Sequence, residues 1–413
     1  VTANARRRLA LIFGFVFVEL LGYSLILPLL PYYAETFGAT LPVVGLLGTV
    51  NAVAQLIAAP VVGRLSDRYG RRPLLIISIA GTAISFLMLG LARSLEMIFL
   101  SRALDGLFGG NIALARAYIT DVTDEKNRAR GLGIVGAAFG LGFIIGPAMG
   151  GFLSRYGYSV PALVAAALSF VNLIGVVLWL PESLTEAVRE QLRTSPRTAF
   201  DLRNLRQALN LPCCASLLQI RLWYSLAFTL FQANFALYAK TRLALTAQTT
   251  SFVLTYVGVL SILVQGLAIG RLTSRFRERN LIFAATIVMG VALLGWAVSP
   301  NLIWLLAILA PIALSGGILN TVLTSQLTKA VRAEEVGGIL GLATSLQTFA
   351  QIVSPAVGSL ALDRIGTWAP GVMGTLLMAW TAIFAWRTLM VEVEQTQPSP
   401  GLEAKAARHT VGS

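Results

Sequence analysis

The chain reads as long apolar runs separated by short polar ones. Each run is about 20 residues, the length a helix needs to cross ~30 Å of hydrocarbon at ~1.5 Å per residue. Twelve can be placed, at 9–31, 41–63, 73–93, 97–119, 131–153, 160–181, 215–239, 250–272, 280–299, 302–328, 337–361 and 369–390. Barrel strands would instead alternate apolar and polar positions over about ten residues, and no such alternation is present. The expected fold class is therefore an all-α membrane protein with twelve transmembrane helices. The first run, RRRLALIFGFVFVELLGYSLILPLLP, exceeds the ~7–15-residue core of a secretory signal and no A-x-A-like site follows it, so it reads as the first span.

Composition supports this. Of the 413 residues 56% are hydrophobic and 12% charged, about half the charged share of a soluble domain, ~25%. The polar gaps carry the orientation. With the N-terminus in the cytoplasm, the inner segments hold Arg6, Arg7, Arg8, the island GRLSDRYGRR at 63–72, Lys126, Arg128, Arg130, the arginines of 189–206, Arg271, Arg275, Arg277, Arg279, Lys329, Arg332, Arg387, Lys405 and Arg408. The outer loops hold only Arg93, Arg155, Lys240, Arg242 and Arg364, while Arg102, Arg116 and Arg221 fall within or near span ends. This bias predicts both termini inside, in a multi-pass protein of the cell inner (plasma) membrane. The net charge of +13 is then a topology signal with some attraction to anionic headgroups, and no nucleic-acid partner is implied.

The chain also repeats itself. GRLSDRYGRR is echoed by GRLTSRFRER at 270–279, GFIIGPAMGG by AQIVSPAVGS with Pro147 against Pro355, and YYAET by LYAKT. Offsets of roughly 200 residues predict two six-helix pseudo-symmetric bundles in the same orientation. They would occupy 1–181 and 213–391, joined by a cytoplasmic linker, 182–212, with a short amphipathic surface helix, and followed by a cytoplasmic tail, 392–413.

Candidate chemistry is sparse. Cys213 and Cys214 are adjacent and build neither a disulfide framework nor a zinc site, and His409 lies in the tail. No nucleophile–base or metal constellation is evident, so no enzyme, metal or cofactor is expected. GLGIVG at 131–136 matches G-x-G-x-x-G but opens a span and follows no strand, so a dinucleotide site is excluded. Charges within spans are costly and mark function. Glu19 lies about ten residues into the first span, ~15 Å deep. A carboxyl group short of water there can take up and release protons, as a proton-coupled carrier requires, or it can simply hydrogen-bond a neighbouring helix. Arg102 and Asp105, at i and i+3 in span 4, share one face and are either a local ion pair or part of the coupling. Gly142, Gly146 and Gly150 repeat every fourth residue beside Pro147 and Gly151, a spacing for close helix packing and for a bendable seam between the halves. Tyr23, Asn51, Gln55, Asn111, Phe231, Gln232, Asn234, Phe235, Asn320, Gln347 and Gln351 are candidates to line a central cavity, with helix–helix contact the competing role.

Together these motifs resemble the major facilitator superfamily, and within it the twelve-span drug:proton antiporters. Gly63, Asp67, Arg68, Gly70, Arg71 and Arg72 resemble the signature loop after helix 2, Arg102-Ala-Leu-Asp-Gly106 the helix 4 motif, Gly142 to Gly151 the helix 5 antiporter motif, Gly22 to Pro31 the helix 1 motif, and Leu180-Pro181-Glu182-Ser183 the end of helix 6. The run from Ala117 to Gly151 and APVVGRLSDRYGRRPLL are most similar to the tetracycline efflux proteins, and Glu19 falls where those carry an acid. The resemblance implies the major facilitator fold, rocker-switch alternating access, protons as the coupling ion, and a gate in which Asp67 makes contacts across the inner seam and its arginines anchor the turn at the headgroups. Departures are Ser85, where the tetracycline exporters carry an aspartate, a span 9 without any acid, and Ser274 in the echo of Asp67. They weigh against magnesium–tetracycline as substrate and against a cycle using span 9.

The expected function is proton-coupled export of a lipophilic or amphipathic small molecule, such as a drug, by a monomer in contact with membrane lipids. A lipid or glycolipid flippase on the same fold is the alternative. A nutrient symporter fits the helix 5 motif less well, and a non-transporting receptor would need no mid-membrane acid.

Overall fold

The computed structural model describes residues 3–123, 125–184, 186, 212–331 and 336–391. Twelve of its helices are long and apolar enough to cross a membrane. They are α1 (Ala3–Ile26), α2 (Leu41–Tyr69), α3 (Arg71–Gly90), α4 (Leu95–Val122), α5 (Glu125–Leu153) and α6 (Ser159–Trp179) in the first half. The second half contains α7 (Pro212–Leu243), α8 (Ala247–Arg275), α9 (Glu278–Ala297), α10 (Leu302–Lys329), α11 (Val336–Arg364) and α12 (Ala369–Thr388). No strand occurs among the described residues. The linker helix expected in 182–212, the tail, His409, the side chain of Cys213 and those of the first arginines lie outside the described residues.

Local chemistry sets the helix ends. Ser94, Thr246 and Asn301 cap α4, α8 and α10, each accepting the N–H three residues on, from Met97 (3.4 Å), Thr249 (3.2 Å) and Trp304 (2.9 Å). The first span is shorter than predicted. Pro28 has no N–H to continue the ladder, so α1 stops at Ile26, and Pro31 enters a separate short helix, Leu30–Glu35. The island at 63–72 differs as well. It is predicted as a turn, yet α2 continues through it to Tyr69, because nothing before Gly70 breaks a helix. Gly70 alone makes the corner, at φ +108° and ψ 158°, a conformation that side chains disfavour. α4 pauses at Gly109–Gly110 and resumes at Asn111.

In the first half α1 packs on α5 and α6, α3 on α4 and α6, and α2 on α4; in the second, α7 packs on α11 and α12, and α9 on α10 and α12. Two helix pairs make most of the contact between the halves, α2 with α11 and α5 with α8, with a minor contact of α2 on α7. Both are tight away from the basic ends of α2 and α8. A Cβ on Gly45 would collide with Ser359 and the Pro355 carbonyl, and one on Gly258 would lie 2.6 Å from the Phe143 carbonyl oxygen. Thr49 donates to the Ile352 carbonyl at 2.8 Å. Beyond the far ends of these helices Lys240 pairs with Glu35, the Tyr32 hydroxyl meets the Leu245 carbonyl (2.9 Å) and Thr250 (2.7 Å), and Arg155 donates to Gln248 (3.0 Å).

The same faces separate toward the basic end. On α8 the four-residue series Gly258, Ile262, Gly266, Gly270 starts in contact with α5, but the last two have nothing within 4 Å of a built Cβ. Gly63, Gly133, Gly136, Gly337, Gly338 and Gly341 are equally open. Among the described residues the bundles therefore meet at the far end and diverge at the end rich in arginine, leaving a cleft.

Candidate functional site

Glu19 lies on α1 and is 8% exposed. The Asn111 amide of α4 donates to its Oε1 at 2.6 Å, and the Asn172 amide of α6 to its Oε2 at 3.3 Å. Asn111 also reaches the Thr82 hydroxyl of α3 at 3.3 Å, and Asn172 the Phe15 carbonyl at 3.1 Å. Four helices of the first bundle thus converge on one carboxyl group. A narrow apolar pocket runs from it between Ile12, Phe15, Val16, Leu75, Ile79 and Val176. Among the described residues Glu19 forms no ion pair. The Oδ1 atoms of both Asn111 and Asn172 are buried without a hydrogen-bond partner. The site therefore has neutral donors to a carboxylate and two free acceptors beside it.

Arg102 and Asp105 are brought together at 3.3 Å, both buried. Asn51 of α2 donates to Asp105 Oδ2 at 3.0 Å and to the Arg102 carbonyl at 3.0 Å. The guanidinium lies 5.8 Å from the centre of the Phe86 ring, while its Nε and Nη2 are buried and unpartnered. Ser85, at the position of the absent aspartate, donates to the Ser101 carbonyl at 2.7 Å.

The gate residues form a cluster within the first half. Arg71 pairs with Asp67 (2.6 Å) and Asp121 (3.1 Å), and also donates to Ser66 (2.5 Å). Glu182 caps α3, accepting the N–H groups of Arg71 (2.9 Å) and Arg72 (3.1 Å), an arrangement that the helix dipole favours. Arg72 donates to the Val177 carbonyl at 2.6 Å. Among the described residues Asp67 makes no contact across the seam, and its partner is Arg71 of its own half. Gly63 has open space around it, and Arg68 stacks on Tyr69 at 5.4 Å.

Gly142, Gly146 and Gly150 do not face the other half. They abut Leu20, Ser24 and the Leu25 carbonyl of α1, and Ser24 donates to the Gly142 carbonyl at 2.7 Å. Only Gly151 of this set packs across the seam, against Ser251 and Gln248. Pro147 is accommodated within α5.

The cavity candidates divide. Tyr23, Gln232, Asn320 and Gln347 are exposed, and Asn51, Gln55 and Gln351 partly so. Phe231, Asn234 and Phe235 are instead packed inside the second bundle. Phe231 stands edge-on to Trp296 at 5.0 Å and to Phe235 at 5.6 Å, and Asn234 ties α7 to the Ser354 carbonyl of α11 at 3.2 Å. Asn111 is a ligand of Glu19.

The twelve-helix chain has counterparts among known proteins. The "Major Facilitator Superfamily" pattern matches residues 12–241 and again 217–411. The chain belongs to the major facilitator superfamily. It is 30% identical over 368 residues to solute carrier family 22 member 18 of Rattus norvegicus, covering 87% of this chain and 88% of that protein. It is likewise 30% identical over 369 residues to tetracycline resistance protein, class C, of Escherichia coli, covering 86% and 89%. The crystal structure of the human organic anion transporter MFSD10 (TETRAN) superposes with a TM-score of 0.68 at 23% identity, covering 93% of this chain and 100% of that one, which bears on the fold alone. The protein is thus a multi-pass membrane transporter of this superfamily and not an enzyme.

Several residues take roles that their sequence positions did not reveal. Asn172 was legible as an amide inside the apolar run LSFVNLIGVV. Asp121 and Glu182 carried no spacing signal, since their partners lie about 50 and 110 positions away. Arg221, placed near a span end by its sequence position, lies well inside α7 and donates to Asn320 and Gln347.

Proposed function

We propose that this transporter is a proton-coupled antiporter exporting a lipophilic or amphipathic small molecule by rocker-switch alternating access. Glu19 carries the reading. A carboxylate neutralised by a fixed cation keeps its charge throughout a cycle, whereas one held only by the amides of Asn111 and Asn172 changes charge when a proton arrives. The two free amide oxygens offer acceptors for the added proton. Arg102 and Asp105 join the coupling group, since the unpartnered N–H groups of Arg102 can re-pair as the bundles rock.

The arginine bias supports a cytoplasmic basic end, and an exporter of this kind would act in the plasma membrane. The cleft then opens inward, the state in which an exporter loads its substrate. In the opposite state α2 and α11 close at this end, and Asp67 and Arg71 become the cytoplasmic gate. The tetracycline resistance relative is consistent with export.

The test is uphill movement of a panel of fluorescent lipophilic anions and cations in proteoliposomes under an imposed pH gradient. Glu19→Gln, which keeps an acceptor for Asn111, is expected to stop uphill movement in a folded protein. Undiminished accumulation by that variant rejects the reading.

A further inference from the structure

Arg221 is an intramembrane charge that the proton-coupling reading leaves unused. It lies on α7 roughly two and a half turns beyond Pro212, and is 6% exposed. Its Nη1 donates to Asn320 Oδ1 of α10 at 2.9 Å and, longer, to the Asn320 carbonyl at 3.5 Å, and its Nη2 donates to Gln347 Oε1 of α11 at 3.1 Å. Its Nε is buried and has no partner. The guanidinium carbon lies 5.9 Å from the centre of the Tyr224 ring. Among the described residues it forms no ion pair with a carboxylate.

A full positive charge is therefore held inside the membrane by two neutral amides. Removing such a charge from water costs several kcal/mol, which an amide repays only in part. The two amides are not themselves buried: Asn320 and Gln347 are both exposed, on helices that converge with α7. An exposed pair of amides facing lipid tails would be unsatisfied, so this patch faces the cleft. The arrangement is a planar fork of N–H donors behind displaceable acceptors, with no carboxylate counter-ion among the described residues. Guanidinium matches the two oxygens of a carboxylate, sulfonate or phosphate ester.

We infer that Arg221, with Asn320 and Gln347, receives the anionic headgroup of the transported molecule, so that the substrate class is an amphipathic organic anion. The inference rests on the transporter reading above and narrows its substrate. The anion takes the place of the amide oxygens on the guanidinium, and its apolar body remains in the cleft.

The probes are 1-pyrenesulfonate, 1-pyrenemethylammonium and neutral 1-pyrenemethanol, which share a ring system. They are titrated by fluorescence anisotropy into the full chain in neutral detergent. The sulfonate is expected to bind at least tenfold tighter than the ammonium compound, about 1.4 kcal/mol. Arg221→Gln should erase that preference while the neutral probe binds within about twofold of the unsubstituted chain. Arg221→Lys should retain part of it. Asn320→Asp supplies a counter-ion, keeps Arg221 paired, and should erase the preference even if Arg221→Gln does not fold. Equal binding of the two charged probes by the unsubstituted chain, or a preference surviving both Arg221→Gln and Asn320→Asp, overturns the assignment. Displacement of pyrenesulfonate by sub-micellar dioctanoyl phosphatidylglycerol but not by naphthalene-2-sulfonate also overturns it, in favour of an anionic lipid. Binding in detergent requires no gradient. Equal binding of the charged probes by the unsubstituted chain, with its uphill transport intact, therefore sinks this inference alone, and a preference in that chain with transport indifferent to the gradient sinks the antiport reading alone.

Discussion

Asn111 donates to Glu19 across the α1–α4 contact at 2.6 Å, and the same amide nitrogen reaches Thr82. One side chain thus fixes the carboxyl group relative to two other helices. A hydrogen bond to a charged partner contributes about 1.5–3 kcal/mol. A double-mutant cycle with Glu19→Leu and Asn111→Leu, read by thermal or denaturant unfolding, should give a coupling energy of at least about 1 kcal/mol. Additive effects would mean that the pair does not interact in the folded protein.

The glycines of the seam divide into two sets with opposite expectations. Gly45→Val places a side chain where Ser359 and the Pro355 carbonyl already stand. It should force α2 from α11 and lengthen spin-label distances between the far ends of the bundles. Gly133→Leu meets open space in this conformation. It should fold normally and bind probes, yet slow transport at least tenfold by obstructing closure of the basic end. Full transport by Gly133→Leu would show that α5 and α8 do not close there.

Glu182 caps α3 from the end of the first bundle. Glu182→Ala leaves the Arg71 and Arg72 N–H groups without their acceptor, and loss of a cap costs about 0.5–2 kcal/mol. Gly70→Ala should cost about 1–3 kcal/mol, because it strains a backbone at φ +108° and pushes a methyl group into the Glu182 carboxylate. Melting curves of the two variants check both values.

Tyr32, in the short helix between α1 and α2, latches the far end onto Leu245 and Thr250. Burial pushes its hydroxyl up to about 12, from an ordinary value near 10. A raised folded value means that this contribution to stability is complete below pH ~10 and is lost as the pH rises toward ~12. Tyr32→Phe should remove the alkaline loss, cost about 1 kcal/mol at neutral pH, and increase labelling of a cysteine placed at the far end. An unchanged alkaline profile in that variant would assign the loss to another group.

The motif at Gly142, Gly146 and Gly150 shows how far spacing carries. A four-residue repeat of small residues predicts a close helix contact, and the contact exists. The repeat does not say which helix approaches, and the partner is α1 rather than the other half. Phe231 and Phe235 make the same point: their apolar character suits a cavity wall and a bundle core equally, and only packing against Trp296 decides between them.

The chain by itself determined the twelve spans, the repeat of two halves, the rarity of buried charge, and Glu19 as the acid of the first span. Lipid imposes these, because every apolar run must be long enough to cross and every charge within one is expensive. Tertiary structure alone decided that Glu19 is held by the amides of Asn111 and Asn172, that Asp67 pairs with Arg71 in its own half, and that Arg221 is held by Asn320 and Gln347 with no carboxylate partner among the described residues. Those facts depend on side chains tens or hundreds of positions apart meeting at distances of about 3 Å. Hydropathy and periodicity report which face of a helix leaves water or lipid, but not which residue waits on the other side.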